Sequence, residues 1–356
     1  MDIIELRKTL HKHPDVSGCE IFAHDLIVDE LRRLSPTALH DHVGGYGVVA
    51  YWQSPDPDAK CIAFRADIDA LPTGHRCGHD GHTAILLQFA RRLSCSDLCY
   101  SVLLIFQPEE ETGKGAKKIV KSGLMQKYNV AAVFGLHNLP GFPEGRVVLN
   151  RHTFAAASCG VHYMLHGRST HASTPELGVN PGLAVAEIIN YFNTLNVASP
   201  AHFKQSTLVC CRVGEEAFGT SAGEGEVMFT LRAFTNATMV ELMEQADRFV
   251  IKCAASHGLE LSKRMREPFG ATENVPELVD QLCEIFKGSY DVELMSKPFR
   301  WSEDFAEYLK EFPGAFFGVG SGKNHVELHH PDYDFPDGII DTAVGCFESI
   351  LKSIKL

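Results

Sequence analysis

Three short, largely apolar runs restrict the possible folds of this chain more than any other feature. Residues 60–66, 101–106 and 130–136 each have strand length, and helical patterns separate them. Between the first two, Ile85, Leu86, Phe89, Ala90 and Leu93 recur on one side of residues 83–93. Between the second and third, residues 115–122 suggest a short helix closed by Gly123. Strands that alternate with helices imply an α/β layer with a mostly parallel sheet. Residues 2–12 and 20–34 read as preceding helices, and 46–52 as another strand.

The rhythm changes in the middle. Strands are predicted over 159–166, 206–213, 226–234 and 259–266, and helices over 181–195 and 238–257. Thr238 is the expected N-cap of the long helix and Gly258 its stop. The order βαββαβ is the ferredoxin-like split pattern, an α+β arrangement. A small domain is therefore expected to be inserted at 153–267, with Glu267-Pro268-Phe269-Gly270 as the return linker. The first pattern then resumes, with helices over 275–287, 301–312 and 339–354 and a strand over 315–319. It occupies 1–152 and 268–356, and two domains suit a length of 356 residues.

Composition excludes several classes. A formal net charge of -12 argues against a nucleic-acid surface, which wants basic patches. No apolar run approaches a membrane span, and the charged N-terminus lacks the apolar core of a secretory signal. Eleven cysteines, an odd number without framework spacing, favour reduced thiols and a cytoplasmic location.

The chemistry is concentrated in Cys77-Gly78-His79-Asp80-Gly81-His82, followed by Glu109-Glu110-Glu111, His137 and His329-His330. Thiol, imidazole and carboxylate are transition-metal ligands, and the two glycines would let the backbone turn around an ion. Cys77, His79, Glu111, His137 and His329 are the candidate ligands. Each has a rival reading. With 18 histidines, clustering by chance is real, and free cysteine is commonly a small buried hydrophobe. Asp67, the 109–111 run and His137 are each expected just past the carboxyl end of a strand, the edge where open α/β sheets gather ligands. His11 and His13 have metal-like spacing, but a structural role suits their helix-to-Pro14 turn better.

These residues carry a resemblance to the M20 metallopeptidase/amidohydrolase clan. The branch it resembles includes auxin-conjugate hydrolases, hippurate hydrolases and N-acetyldiaminopimelate deacetylases. Besides the cysteine motif, the resemblance rests on Leu6 to Pro14, Phe64-Arg65-Ala66-Asp67-Ile68-Asp69-Ala70-Leu71-Pro72, Ile105 to Glu111, Gly135-Leu136-His137, Ser302-Glu303-Asp304-Phe305 and Leu328-His329-His330-Pro331. It implies a zinc-peptidase-like catalytic domain with an inserted lid that also dimerises. It implies two divalent cations, zinc or manganese with cobalt as an option, held by Cys77, His79, Glu111, His137 and His329, with Cys77 bridging. Glu110 would be the general base, His171 a stabiliser of the tetrahedral oxyanion, and Arg232 either a carboxylate-binding group or a structural partner on its strand. Asp67 would orient a ligand histidine, His82 and Asp80 would support rather than ligate, and Glu109 would be a solvated charge.

The implied reaction is hydrolysis of a small-molecule N-acyl amino acid or related amide by a homodimer, with neither nucleic acid nor membrane as partner. A dipeptidase with the same centre, or a non-catalytic metal-binding protein on a hydrolase scaffold, are the alternatives. Two departures leave the substrate open. The loop before Cys77 is cut to Thr73-Gly74-His75-Arg76, and the Asn-x-Ile-Pro segment of the clan is replaced by Gly219-Thr220-Ser221-Ala222-Gly223. A dinucleotide loop at Gly318-Val319-Gly320-Ser321-Gly322 is disfavoured, because residues 323–328 lead into His329 and do not read as a helix.

Overall fold

The computed structural model describes residues 1–93 and 98–356. The chain begins with α1 (Ile3–Lys12), α2 (Ile21–Leu34), β1 (Ala38–Val43), β2 (Gly47–Trp52), β3 (Cys61–Asp67) and α3 (His79–Leu93). It continues with β4 (Ser101–Gln107), α4 (Gly115–Lys121), α5 (Leu124–Lys127), β5 (Val130–Pro140) and β6 (Val147–Asn150). Next come β7 (Ala157–His166), β8 (Thr170–His171), α6 (Gly182–Thr194), β9 (Lys204–Val213), β10 (Thr220–Ser221), β11 (Glu224–Ala233), α7 (Asn236–Ser256) and β12 (Glu260–Phe269). The last stretch holds α8 (Pro276–Phe286), β13 (Val292–Met295), α9 (Ala306–Leu309), β14 (Gly314–Gly322) and α10 (Ile340–Ser353).

These elements pack as two compact units. The first combines Met1–Phe154, Thr272–Lys297 and Asp304–Leu356. Its eight-stranded sheet has the order β1-β2-β4-β3-β5-β14-β6-β13. The pairs β3–β4, β3–β5, β5–β14 and β6–β13 are parallel, so the sheet is mostly parallel. β3 and β4 are buried along their whole length, which is why their sequences are nearly continuous apolar runs. α1, α2 and α10 pack against α3, and Phe64, Phe89, Phe134 and Phe347 join one hydrophobic core.

The second unit combines Ala155–Ala271 with Pro298–Glu303. Its four-stranded antiparallel sheet, β12-β7-β11-β9, has the ferredoxin-like order. One face of its strands packs on α6 and α7 around Tyr163, Ile188, Phe192, Phe229 and Leu242. Pro298–Glu303 joins this unit because the Ala156 N–H donates to the carbonyls of Phe299 and Trp301. No helix among the described residues is long and apolar enough to cross a membrane. The described cysteines are free thiols, and Cys95 lies outside the described residues.

Several sequence expectations need correction. α3 starts at His79 and not near residue 83, so the cysteine motif supplies the first turn of a helix. Only Gly78, at φ +98, makes the turn. Gly81 is helical, and its missing side chain makes room for Phe335, whose Cδ2 would lie 2.2 Å from an added Cβ. β5 runs to Pro140, which puts His137 inside the strand and not beyond it. The helix expected over 301–312 shrinks to Ala306–Leu309, since 298–303 spends its carbonyls on the second unit.

Thr235, not Thr238, caps α7: its Oγ1 accepts from the Thr238 N–H at 3.1 Å. The expected return linker is strand as far as Phe269, with a bulge after Arg266 and Glu267 at φ +44. Pro268 is tolerated there because β12 is an edge strand.

Candidate metal centre

The parallel pairing of β4, β3, β5 and β14 brings the carboxyl ends of four neighbouring strands to one edge of the first unit's sheet. Asp67 ends β3, Glu109–Glu111 follow β4, His137 lies late in β5, and His329 follows β14. Cys77 and His79 arrive from the turn into α3. All five predicted ligands and Glu110 belong to this unit.

The donor atoms form two overlapping groups. Those of Cys77, His79 and His137 lie within 4.8 Å of one another, and so do those of Cys77, Glu111 and His329. Cys77 Sγ stands 3.6 Å from His137 Nε2. Glu111 Oε1 stands 3.9 Å from His79 Nε2 and 4.0 Å from His329 Nε2. Glu110 Oε2 is 3.9 Å from His79 Nε2. The Glu111 separations exceed a hydrogen bond, and His79 Nε2 and Glu111 Oε1 are buried without a hydrogen-bond partner. Two ligands of one tetrahedral ion, each ~2.0–2.3 Å from it, stand ~3.3–3.7 Å apart, the spacing of Cys77 Sγ and His137 Nε2, while the Glu111 pairs are slightly wider. The donor set of thiol, three imidazoles and a carboxylate fits a transition metal.

Neighbouring groups aim the imidazoles. A backbone carbonyl can only accept, so His79 donates Nδ1–H to Asp69 O at 2.9 Å and turns its Nε2 lone pair inward. His137 likewise donates Nδ1–H to Asn138 O at 2.8 Å. His82 differs, because both nitrogens are engaged, Nδ1 with Asp67 Oδ1 and Nε2 with Asn138 Oδ1, each at 2.6 Å. Asp67 therefore grips a histidine outside the ligand set, while its Oδ2 lies 3.8 Å from His79 Nε2.

Burial sets the local electrostatics. It pushes the Cys77 thiol well above its ordinary value and the Glu111 carboxyl up to about 7. It drives His137 well below the ordinary imidazole value, with His82 adding to the effect. Burial alone would lower His79 too, but Asp67 and Cys77 outweigh it and raise the imidazole. Burial would raise Asp67, yet His79, His82 and Arg65 hold its carboxyl well below the usual range. His329 is half-exposed and lowered by its partial burial and by His79. Its backbone sits at φ +67, a conformation that a non-glycine residue adopts at a cost of ~1–3 kcal/mol. The His329 N–H donates to Arg76 O at 2.7 Å, so the shortened loop before Cys77 holds the far end of the site.

Sequence reasoning missed the supports. The Asp69 carboxylate accepts the N–H groups of Glu110 and Glu111, both at 3.1 Å, and the Ser17 hydroxyl at 2.6 Å. It clamps the two glutamates in register. Beneath them Arg65, fully buried, reaches Gln107, Asp67 and Asp304 at 2.7–2.9 Å. The visible signal was Asp69 beside Asp67 in a motif already singled out. Glu109 is not the expected solvated charge: it is buried, pairs with Lys118, and its N–H donates to Glu20. His11 meets Asp80 at 2.8 Å beside the buried Arg7, while His13 is exposed and stacks on Phe22.

His171 and Arg232 belong to the second unit. His171 is exposed, its Nδ1 2.7 Å from Ser173 Oγ. Arg232 donates to Arg300 O at 2.7 Å and Ser302 Oγ at 3.0 Å. That unit has its own cleft of about 710 Å³, lined by Met164, His166, Arg212, Thr220, Glu224 and Glu226. Four of its titratable groups pair with one another, His166 with Glu224 and Arg212 with Glu226.

The family model of peptidase family M20/M25/M40 matches residues 63–353. A relative from Staphylococcus epidermidis, named an uncharacterized hydrolase, is 28% identical over 98% of this chain and 97% of its own. Another uncharacterized hydrolase, from Staphylococcus saprophyticus, is 29% identical over 99% and 97%. Among solved structures, a protein from methicillin-resistant Staphylococcus aureus has TM-score 0.91 at 25% identity, over 99% of this chain and 96% of that one. The Bacillus subtilis YXEP protein, described as a dinuclear metal binding peptidase from the M20 family, has TM-score 0.84 at 25% identity, over 99% and 98%. This chain belongs to peptidase family M20/M25/M40, and its fold and relatives make it a hydrolase of that family.

Proposed function

We propose that this protein is a di-metal amidohydrolase that cleaves N-acyl amino acids or related linear amides. Cys77, His79, Glu111, His137 and His329 would hold two divalent cations, zinc or manganese with cobalt as an option, and Cys77 would be shared between them. One observation carries the reading: Cys77 is common to both donor groups, whose other members are three imidazoles and a carboxylate. The YXEP protein, described as dinuclear, supports a pair of cations over a single one.

When bound, such cations polarise a carbonyl oxygen and acidify water toward a pKa of about 7. The remaining work falls to the chain. The Glu110 carboxylate, set beside His79 and fixed through its backbone by Asp69, would take a proton from the attacking water and return it to the leaving nitrogen. Glu111, one residue on in the turn that follows β4, would serve as ligand, since its carboxylate falls in a donor group with Cys77 and His329. With a Cys77 thiolate and a Glu111 carboxylate against two divalent ions, the site keeps a positive surplus that suits an acidic substrate. His171 would stabilise the oxyanion and Arg232 would bind the substrate carboxylate. The second unit would be the lid and the dimer contact. The free described thiols accord with a cytoplasmic protein.

The test is a panel of N-acyl amino acids and dipeptides, matched in side chain, assayed with metal-loaded protein. Turnover concentrated on the acylated members is expected, and turnover of dipeptides alone would favour the peptidase reading, which the description of the YXEP protein supports. Full metal with no hydrolysis of either set would favour a binding protein.

A further inference from the structure

A second cluster of unlike metal donors lies in the inserted unit and has no part in the proposed reaction. Cys253, near the end of α7, and His257, which caps that helix, are four residues apart and so share one helical face. α6 packs against α7 and places Glu187 opposite them. The donor atoms of all three lie within 4.8 Å of one another. Glu187 Oε2 is 3.5 Å from Cys253 Sγ, and its Oε1 is 3.0 Å from His257 Nε2. The Sγ–Oε2 spacing is that of two ligands of one cation at ~2.0–2.3 Å, and the 3.0 Å Oε1–Nε2 contact is a hydrogen bond that an entering ion would replace. The thiol is buried, the imidazole half-buried and the carboxylate exposed, so the cluster has an inner anchor and an open outer side.

We propose that Glu187, Cys253 and His257 form a third cation site, separate from the amidohydrolase centre, selective for a thiophilic divalent ion such as zinc. Thiol and imidazole exclude magnesium and calcium as its ions, since those want oxygen donors. Three protein ligands leave a fourth tetrahedral position to solvent. Binding converts the Cys253 S–H to a thiolate and releases its proton. The bound ion ties α6 to α7 across the unit's helical layer. A plain ion pair of Glu187 with His257 would need no thiol on the same carboxylate. The site does not depend on the proposed function, so either can fail alone.

The test uses the full chain, stripped of metal and titrated with cobalt(II). In Cys77→Ser, which removes the other thiol assigned to a cation, a thiolate-to-cobalt charge-transfer band is expected. That band should vanish in Cys77→Ser/Cys253→Ser, weaken in Cys77→Ser/His257→Gln, and persist in Cys77→Ser/Cys283→Ser. Its absence from folded Cys77→Ser, or its survival without Cys253, would overturn the proposal. Should Cys77→Ser fail to fold, Cys253→Ser alone decides. It should bind one zinc fewer per chain than the parent protein while amide hydrolysis is unchanged, and equal zinc content would overturn the site.

Discussion

Glu110 and Asp69 divide the labour at the residue scale. Glu110 is the proposed base, and Glu110→Gln keeps shape while removing the proton acceptor. Turnover should fall by roughly 10²–10⁴ with metal content intact; near-normal turnover would remove Glu110 from that role. Asp69 holds the Glu110 and Glu111 N–H groups and touches no substrate in this account. Asp69→Asn keeps one acceptor oxygen and loses the charge. The expected result is a drop in kcat with little change in KM, and Asp69→Ala should be worse than Asp69→Asn. Equal losses in kcat and stability for both variants would mean that Asp69 only holds the fold.

At the scale of elements, α3 carries the motif because each polar side chain of its first turn is held through at least one of its atoms. Asp80 meets Arg7 and His11, His82 meets Asp67 and Asn138, and Gly81 admits Phe335. Gly81→Ala puts a methyl into that ring and should cost ~1–3 kcal/mol by denaturant melting, as overpacking does. A second change, Phe335→Leu, should return part of it; no loss in the single variant would show that the ring shifts freely. Under the sheet edge, Arg65 is the shared cation of Asp67 and Asp304. Arg65→Met should cost about 3–5 kcal/mol, because it strands buried carboxylates, and a loss below the scatter of the melts would contradict the network.

These elements also explain what the sequence could reveal. β3 and β4 were legible because they are buried on both faces and read as unbroken apolar runs. β1 is mostly half-exposed, and β6 and β13 are four residues each, too short to show a period. The start of α3 was hidden because His79, Asp80 and His82 are buried through hydrogen bonds, which leave no hydrophobic periodicity. The aromatic spacing of 301–312 mimicked a helix whose backbone is partly used elsewhere. The candidate donor residues and the sheet edge they share could be read in advance, though not that His137 lies inside β5. The Asp69 clamp and the Arg76–His329 bond could not, since they join segments that only the fold brings together.

For the whole molecule, the first unit draws its donors from residue 77 to residue 329, so bound cations would bridge segments from most of its length. A ligand that binds only the folded state stabilises it by about 4 kcal/mol at a thousandfold excess over Kd. Stripping the metal should therefore lower the unfolding midpoint, and restoring zinc or manganese should recover it. Identical melting of stripped and loaded protein would mean that the donors hold nothing.

Anomalous diffraction from crystals of the zinc-loaded protein bears most directly on the shared thiolate. The account predicts two peaks in the first unit, each about 2.3 Å from Cys77 Sγ, one against His137 and the other against Glu111 or His329. A lone peak, or a pair that leaves Cys77 untouched, would contradict it.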